Sequence, residues 1–191
     1  MGDPNAPALD ALAMIEALDR HGVDYVLVGG LAATLYGAVR LTTDMDVVPD
    51  WTQPNRARLA AALKELHAQL RVPGQKETVP FPLDASSFTS FEVSTWRTDC
   101  GDIDIIIGIP SSTRGQLNGY GHLASRAEHH QLDNGPTILV GELDDIIESK
   151  TALGRPTDLV ALEELWQLRN QRERDRSAVL RDRHDDPGLN P

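Results

Sequence analysis

The sequence predicts an α+β domain: a small mixed sheet with flanking helices and a C-terminal helical part. Three observations point there. Short apolar, β-branched runs recur at Tyr25–Val28, Met45–Val48, Phe91–Arg97, Ile103–Ile109 and Thr137–Val140. Segments with apolar residues at helical spacing lie among the first of them, and two helical segments follow in succession after the last. Strands interspersed with helices bury their apolar faces as one sheet with helices packed against it.

The elements follow in order. Leu9, Leu12, Ile15 and Leu18 predict a helix over Pro7–His21, stopped by His21-Gly22. Tyr25–Val28 is a buried strand ending in Gly29-Gly30, and Leu31–Tyr36 a short helix closed by Gly37. Met45–Val48 is a second strand, stopped by Pro49, and Asn55–Leu70 an amphipathic helix. The stretch from Val72 to Ser90, rich in Pro, Ser and Thr, reads as loop, with its strand content left open. Phe91–Arg97 alternates as a strand does, and Ile103–Ile109, the most apolar run, reads as a central strand. Ser111–Gly121 is loop. His122–Leu132 and Thr137–Val140 flank Asp133-Asn134-Gly135, a hairpin signal. Helices are predicted at Glu142–Leu153 and Thr157–Gln171, broken at Gly154-Arg155-Pro156, and the charged end from Arg172 is expected to fray. The organisation predicted is a core over 1–140, a helical element over 141–176 that completes the active site, and a tail over 177–191.

Composition narrows the function. The chain has 191 residues, 40% hydrophobic and 25% charged, near the averages of soluble domains. No apolar stretch reaches the roughly 18 residues of a membrane span. Met1–Pro7 lacks the pattern of a secretory signal, and Cys100 is the single cysteine, so the cytoplasm is the expected compartment. The net charge of −11 argues against a protein that grips nucleic acid with its whole surface. A nucleic-acid substrate then requires clustered basic residues or bound metal, and a small acceptor remains open. Neither a P-loop nor a G-x-G-x-x-G pattern is present.

One constellation carries chemistry. Gly29-Gly30 ends the first strand and opens a helix, and Asp44-Met45-Asp46 lies on the next strand. Alternation puts Asp44 and Asp46 on one face. Two close carboxylates repel unless a cation joins them, and hard oxygen ligands suit Mg²⁺. Two such ions about 3.5–4 Å apart can orient a triphosphate and stabilise the entering and leaving oxygens. Glycines without Cβ let the backbone approach phosphates at a helix N-terminus. Asp102 and Asp104 share a face on the later strand. Isoleucines follow Asp104, which therefore reads as the deeper residue, the third ligand and a candidate general base, while Asp102 reads as a surface residue.

These residues resemble the DNA polymerase β-like nucleotidyltransferase superfamily, and the fold implied is its minimal nucleotidyltransferase fold. Val26-Leu27-Val28-Gly29-Gly30 with Arg40 to Asp46 is similar to the AbiEii/MenT-like toxin nucleotidyltransferases, as is the segment Glu148 to Leu159, which contains Lys150 and Asp158. The resemblance implies Mg²⁺, an NTP substrate, the 3′ end of tRNA as acceptor, arrest of translation and a cognate antitoxin. It implies that Asp44, Asp46 and Asp104 hold metal and that Gly29, Gly30, Arg40, Thr43 and Lys150 bind the nucleotide. Asp158 would orient Lys150 or a neighbouring arginine. Gly30 departs from the serine of many members, so backbone N–H groups would serve there. A phosphoryl group on Thr42 or Thr43 would repel the NTP, which makes them candidate targets should an antitoxin act by modification.

Other readings stand beside this one. The same Gly-Gly and Asp-x-Asp chemistry serves small-molecule adenylyltransferases, and an acidic surface suits a cationic acceptor such as an aminoglycoside. His129 and His130 point to opposite faces of a strand, which disfavours a joint metal site. Trp51, Trp96 and Trp166 read as core or rim. Arg169, Arg172, Arg174 and Arg176 form either a solvated helix face or a basic patch for RNA.

Overall fold

A computed structural model describes residues 7–39, 42–72, 74–75, 77–133 and 135–184. Helix α1 (Ala11–Arg20) starts later than its apolar spacing suggests, because the Asp10 carboxylate caps it by accepting from the Ala13 N–H at 3.1 Å. Strand β1 (Tyr25–Val28) is buried throughout and runs straight into α2 (Gly29–Leu35). Strand β2 (Asp44–Pro49) leads to α3 (Gln53–Glu65). The helix predicted through Leu70 stops at Leu66: His67 takes a left-handed φ of 53°, and Gln69–Arg71 turns away as strand β3. The ladder between β3 and a central strand supplies the hydrogen bonds that another helical turn would have supplied.

Strand β4 (Thr78–Val79) lies within the predicted loop. Strands β5 (Val93–Thr98) and β6 (Gly101–Ile106) form a hairpin. The long run expected as one strand is cut at Ile107. Gly108 opens β7 (Gly108–Pro110), which pairs with β8 (Leu117–Gly119) so closely that a Cβ on Gly108 would lie 2.8 Å from the Asn118 carbonyl oxygen. Helix α4 (Tyr120–Arg126) takes up the first half of the expected His122–Leu132 strand, leaving β9 (Glu128–Gln131) to pair with β10 (Thr137–Val140). The predicted turn residue Asn134 lies outside the described residues. Helix α5 (Leu143–Leu153) ends at Gly154 in the left-handed region, and Pro156 opens α6 (Pro156–His184). That last helix extends well past Gln171, to His184 at the end of the described residues, where fraying was expected from Arg172.

The main sheet has the order β4-β3-β5-β6-β2-β1-β10-β9, with β2/β6 and β1/β10 parallel and the other pairs antiparallel. The α+β architecture is thus a mixed sheet with helices packed against it. Leu27, Met45, Val47, Ile103, Ile105 and Trp96 pack with Met14 and Leu18 of α1 and Leu59 and Leu63 of α3 in the larger core. Alternate residues Val26, Val28 and Val48 pack instead with Ile109 and Leu123. Helices α2, α5 and α6 join the larger core through Ala32, Tyr36, Ile146, Leu162 and Leu165. Trp96 is fully buried in the core, whereas Trp166 on α6 is exposed.

Asn55 ties this frame together. It is fully buried on α3. Its side-chain oxygen accepts from the Asp24 N–H at 2.8 Å, and its nitrogen donates to the carbonyls of Asp24 and Asp50, each at 2.8 Å. One side chain thereby satisfies the start of β1 and the loop after β2. Asn55→Leu, of similar size, would strand two backbone groups, the Asp24 N–H and the Asp50 carbonyl, at about 1–3 kcal/mol each before relaxation. The expected result is a melting temperature lower by on the order of 10 °C, read by thermal denaturation monitored by circular dichroism.

Candidate active site

The site grows from the junction of β1 and α2. Gly29 holds φ +69°, and a Cβ there would collide with the carboxylate of Asp46. Gly30 is constrained by contact alone: a Cβ would stand 2.8 Å from Thr42 Oγ1. The two glycines let the chain turn directly over Asp46, whose carboxylate takes the Gly30 N–H as a hydrogen bond. That N–H, expected to face phosphate, is directed at a carboxylate in this structure. The Thr42 hydroxyl in turn donates to Asp44, to Oδ1 at 3.0 Å and to the carbonyl at 3.1 Å.

The parallel register of β2 and β6 sets Asp46 opposite Asp104 and Asp44 opposite Asp102. Paired residues share a face at about one strand spacing, 4.8 Å. Burial pushes the Asp46 carboxyl up to about 7 from an ordinary 3.8, with the negative charges of Asp104 and Asp44 adding to the effect. Burial also raises the Asp104 carboxyl, against the opposing hydrogen bond from Thr95, and its Oδ1 is enclosed without a hydrogen-bond partner. The depth assigned from sequence is reversed for the second pair. Asp102 retains only 9% of its surface, because Arg97 Nε (3.0 Å) and Arg71 (2.5 Å) close over its carboxylate. A run of isoleucines reports apolar surroundings, whereas arginines arriving from two other strands do not show in local sequence.

The C-terminal helical element supplies the cations. Gly154 and Pro156 reverse the chain between α5 and α6, so Lys150 in the last turn of one faces Asp158 in the first turn of the other. The Asp158 side chain is 2% exposed. It accepts from Arg155 Nε at 2.6 Å and from Lys150 Nζ at 3.4 Å. Burial alone would raise this carboxyl, but the Arg155 hydrogen bond and charge, with Lys150, hold it below its ordinary value. Asp158 is therefore an ionised anchor that positions two cations. Arg155 was legible only as a neighbour of Asp158, three residues away on a helical turn.

Two cavities meet at these groups. One, of about 330 Å³, is bounded by Gly29, Val93, Ile106, Ile109, Leu117 and Leu153, and is largely apolar. The other, of about 240 Å³, is lined by Thr42, Asp44, Thr157, Asp158 and Glu164, and is largely polar. Gly30, Asp46, Asp104, Lys150 and Arg155 border both. Of the residues singled out from sequence, Gly29, Gly30, Asp44, Asp46, Asp104, Lys150 and Asp158 thus come together. Thr43 is exposed and is not among the lining residues of either cavity. Arg40 lies outside the described residues. The arginines of α6 are largely engaged: Arg172 and Arg176 pair with Glu128, and Arg169 lies 3.7 Å from Asp144. His129 and His130 occupy adjacent positions of β9, and His130 packs edge-on against Tyr36.

The donor set is all oxygen and suits a hard divalent cation. The partnerless Asp104 Oδ1 and the proton-retaining Asp46 are both groups that a cation would satisfy. Among the described residues, no three carboxylate, histidine or cysteine side chains are already drawn together as a cage for a metal ion. No described helix is long and apolar enough to cross a membrane.

The architecture is shared with solved structures. The chain resembles a candidate nucleotidyltransferase from Thermotoga maritima, TM1012, at a TM-score of 0.50 and 15% identity, covering 81% of this chain and 88% of that one. It also aligns with the antibiotic-resistance factor ANT(2'')-Ia at a TM-score of 0.43 and 15% identity, over 90% of this chain and 93% of the other. The first likeness shows that the chain has a nucleotidyltransferase fold. No family model matches the sequence, and no curated protein matches it.

The raised Asp46 carboxyl has a measurable consequence. Its folded value lies above its unfolded one, so protonation stabilises the fold. That contribution is complete below about pH 4 and is lost as pH rises through about 7. Melts in chelator are expected to show stability falling between about pH 4 and 7, at up to roughly 1.4 kcal/mol per pH unit from this group, and levelling off above that. Asp46→Asn removes that slope and is the more stable protein at pH 8. A wild-type slope equal to that of the variant would refute the coupling.

Proposed function

We propose that the chain is a metal-dependent nucleotidyltransferase, moving a nucleoside monophosphate from an NTP to an acceptor hydroxyl. The reading is carried by one observation: the Asp46–Asp104 pair lies beneath the Gly29-Gly30 turn, faced by the Lys150–Arg155–Asp158 cluster, where two cavities meet. Such a pair has little reason to persist as a purely structural feature, since neighbouring buried carboxylates are costly. The shared nucleotidyltransferase fold agrees with it.

In this reading Lys150 and Arg155, positioned by Asp158, offset charge on the phosphates, and the apolar cavity takes the nucleoside. Asp44, Asp46 and Asp104 would hold Mg²⁺, which supplies charge neutralisation and lowers the pKa of the acceptor hydroxyl. The acceptor oxygen bonds to the α-phosphorus, the bond from that phosphorus to the bridging oxygen breaks, and pyrophosphate leaves. The hydroxyl proton passes to a carboxylate, for which Asp104, raised by burial, is the candidate. Residues 141–176 act as part of the catalytic unit, since they contribute Lys150, Arg155 and Asp158.

For the acceptor, the Lys150-to-Asp158 element supports the 3′ end of tRNA, with the protein as the toxin of a cytoplasmic toxin–antitoxin pair. A second reading has its own support: the polar cavity is lined by Asp44, Asp46, Asp104, Asp158 and Glu164, a setting that favours a small cationic acceptor of the aminoglycoside kind.

Transfer of label from each α-labelled NTP, with Mg²⁺, decides between them. Label on tRNA, lost at least 100-fold in Asp46→Asn and Asp104→Asn, is the expected result. Asp158→Asn is expected to cost roughly 10–100-fold, through loosened Lys150 and Arg155. Label on an aminoglycoside alone would select the second reading, and no Mg²⁺-dependent transfer to either would refute the enzyme.

A further inference from the structure

The apolar cavity beside the carboxylates carries one hydroxyl that the fold leaves unused. Ser149 lies on α5 and is 6% exposed, yet its hydroxyl has no hydrogen-bond partner among the described residues. A serine or threonine inside a helix can bond back to a carbonyl one turn earlier. Thr34, Ser125, Thr151 and Ser177 all do so, to Leu31, His122, Ile147 and Glu173. Ser149, two residues from Thr151 on the same helix, does not. It lines the cavity of about 330 Å³ instead. A buried hydroxyl left without a partner is costly, so its persistence calls for one that the fold itself does not supply.

The position of Ser149 indicates which part of a nucleotide meets it. Ser149 directly precedes Lys150, whose ammonium reaches Asp158 and acts on Asp46 where the two cavities meet. Ile146 and Leu153 share its face of α5, three residues before it and four after. Ile146 is buried, whereas Leu153 is exposed, as are Val93 and Leu117 on the same cavity. The cavity therefore has a closed wall at Ile146 and Ser149 and an apolar opening. With phosphates beside Lys150, the sugar is the next part of the nucleotide along the cavity, and a serine side chain acts close to its own helix turn. A base presents flat apolar faces, which Val93, Leu117 and Leu153 suit. A ribose presents hydroxyls, and burying those in an apolar cavity without partners is costly. The other polar side chains on this cavity are charged: Asp46, Asp104, Lys150 and Arg155 at the junction, and Glu92, which is exposed. Ser149 is the neutral one, able both to donate and to accept.

We propose that the Ser149 hydroxyl hydrogen-bonds a ribose hydroxyl of the bound NTP and thereby selects ribonucleotides over their deoxy analogues. This rests on the nucleotidyltransferase reading and specifies the donor substrate of the same site. The ribose hydroxyl, removed from water by the cavity, takes Ser149 as its partner, and Ser149 gains the partner it lacks within the fold. A deoxy analogue leaves the serine buried and unpaired. A site built to bond a substrate hydroxyl rejects the analogue without it, for that reason.

The test uses the full chain with Mg²⁺, in wild type and Ser149→Ala. Calorimetry without acceptor measures binding of each ribonucleoside triphosphate and of its 2′-deoxy and 3′-deoxy analogues. Wild type is expected to bind the ribonucleotide about 10-fold to 100-fold more tightly than the analogue lacking the bonded hydroxyl, and Ser149→Ala to bring that ratio to about threefold or less. Alanine is the better helix former and removes no bond within the fold, so the variant should melt no lower than wild type. A lower melting temperature, with ribo- and deoxynucleotides weakened alike, would make Ser149 a structural residue and overturn the inference. So would a wild type indifferent to both sugar hydroxyls, a ratio that Ser149→Ala leaves as it was, or a variant altered in its preference among bases and not between sugars. In each of those cases NTP binding persists and the nucleotidyltransferase reading stands. If wild type binds no NTP, both fall together.

Discussion

The structure turns on a half-buried carboxylate set among other negative charges. Asp46 sits on a central strand, opposite Asp104 on one side and Val28 on the other, with the Gly29-Gly30 turn over it. Its neighbours are negative, and the groups opposing that charge are the Gly30 N–H and Lys150. An isolated charge of this kind is costly, and the carboxyl keeps its proton to about pH 7 as a result. Much of the surrounding architecture can be understood as accommodating that one group. The glycines leave room for it, β6 aligns a second carboxylate with it, and α5 brings a cation towards it.

The same constraint gives the C-terminal helices their place beside the carboxylates. Lys150, from α5, and Arg155, from the turn between α5 and α6, bring positive charge to Asp46. The left-handed Gly154 and Pro156 fold one helix back on the other, and the buried Asp158 then orders Lys150 and Arg155. Asp102 does the equivalent on the same face of the sheet, towards β3, for Arg71 and Arg97. In both places an enclosed carboxylate acts as an anchor that fixes long, flexible cationic side chains. Preorganisation of this kind lowers the entropic cost of holding a phosphate.

The Thr42 hydroxyl adds a smaller version of the same arrangement. It sits where a side chain on residue 30 would need to be, and it donates to Asp44. Glycine at 30 and threonine at 42 are thus sterically matched.

How much of this was legible in the sequence depends on the range of the interaction. Strand β1, the Gly29-Gly30 turn and the alternation of Asp44 and Asp46 are properties of a few consecutive residues, so periodicity and glycine chemistry reveal them. The end of α3 at Leu66 was not legible, because the competing hydrogen bonds come from β5, more than twenty residues away in sequence. The division of the isoleucine run at Ile107 depends on close contact with β8, and local apolarity carries no sign of it. Asp102 shows the limit most clearly. From sequence it and Asp104 differ only in their flanking residues, and the depth order inferred was the reverse of the real one. Sequence by itself determined which carboxylates share a face and which residue types are available for chemistry, because strand geometry is local. Only tertiary structure decided which carboxylate is paired with arginine and which keeps an enclosed oxygen without a hydrogen bond, because the partners arrive from other strands and helices.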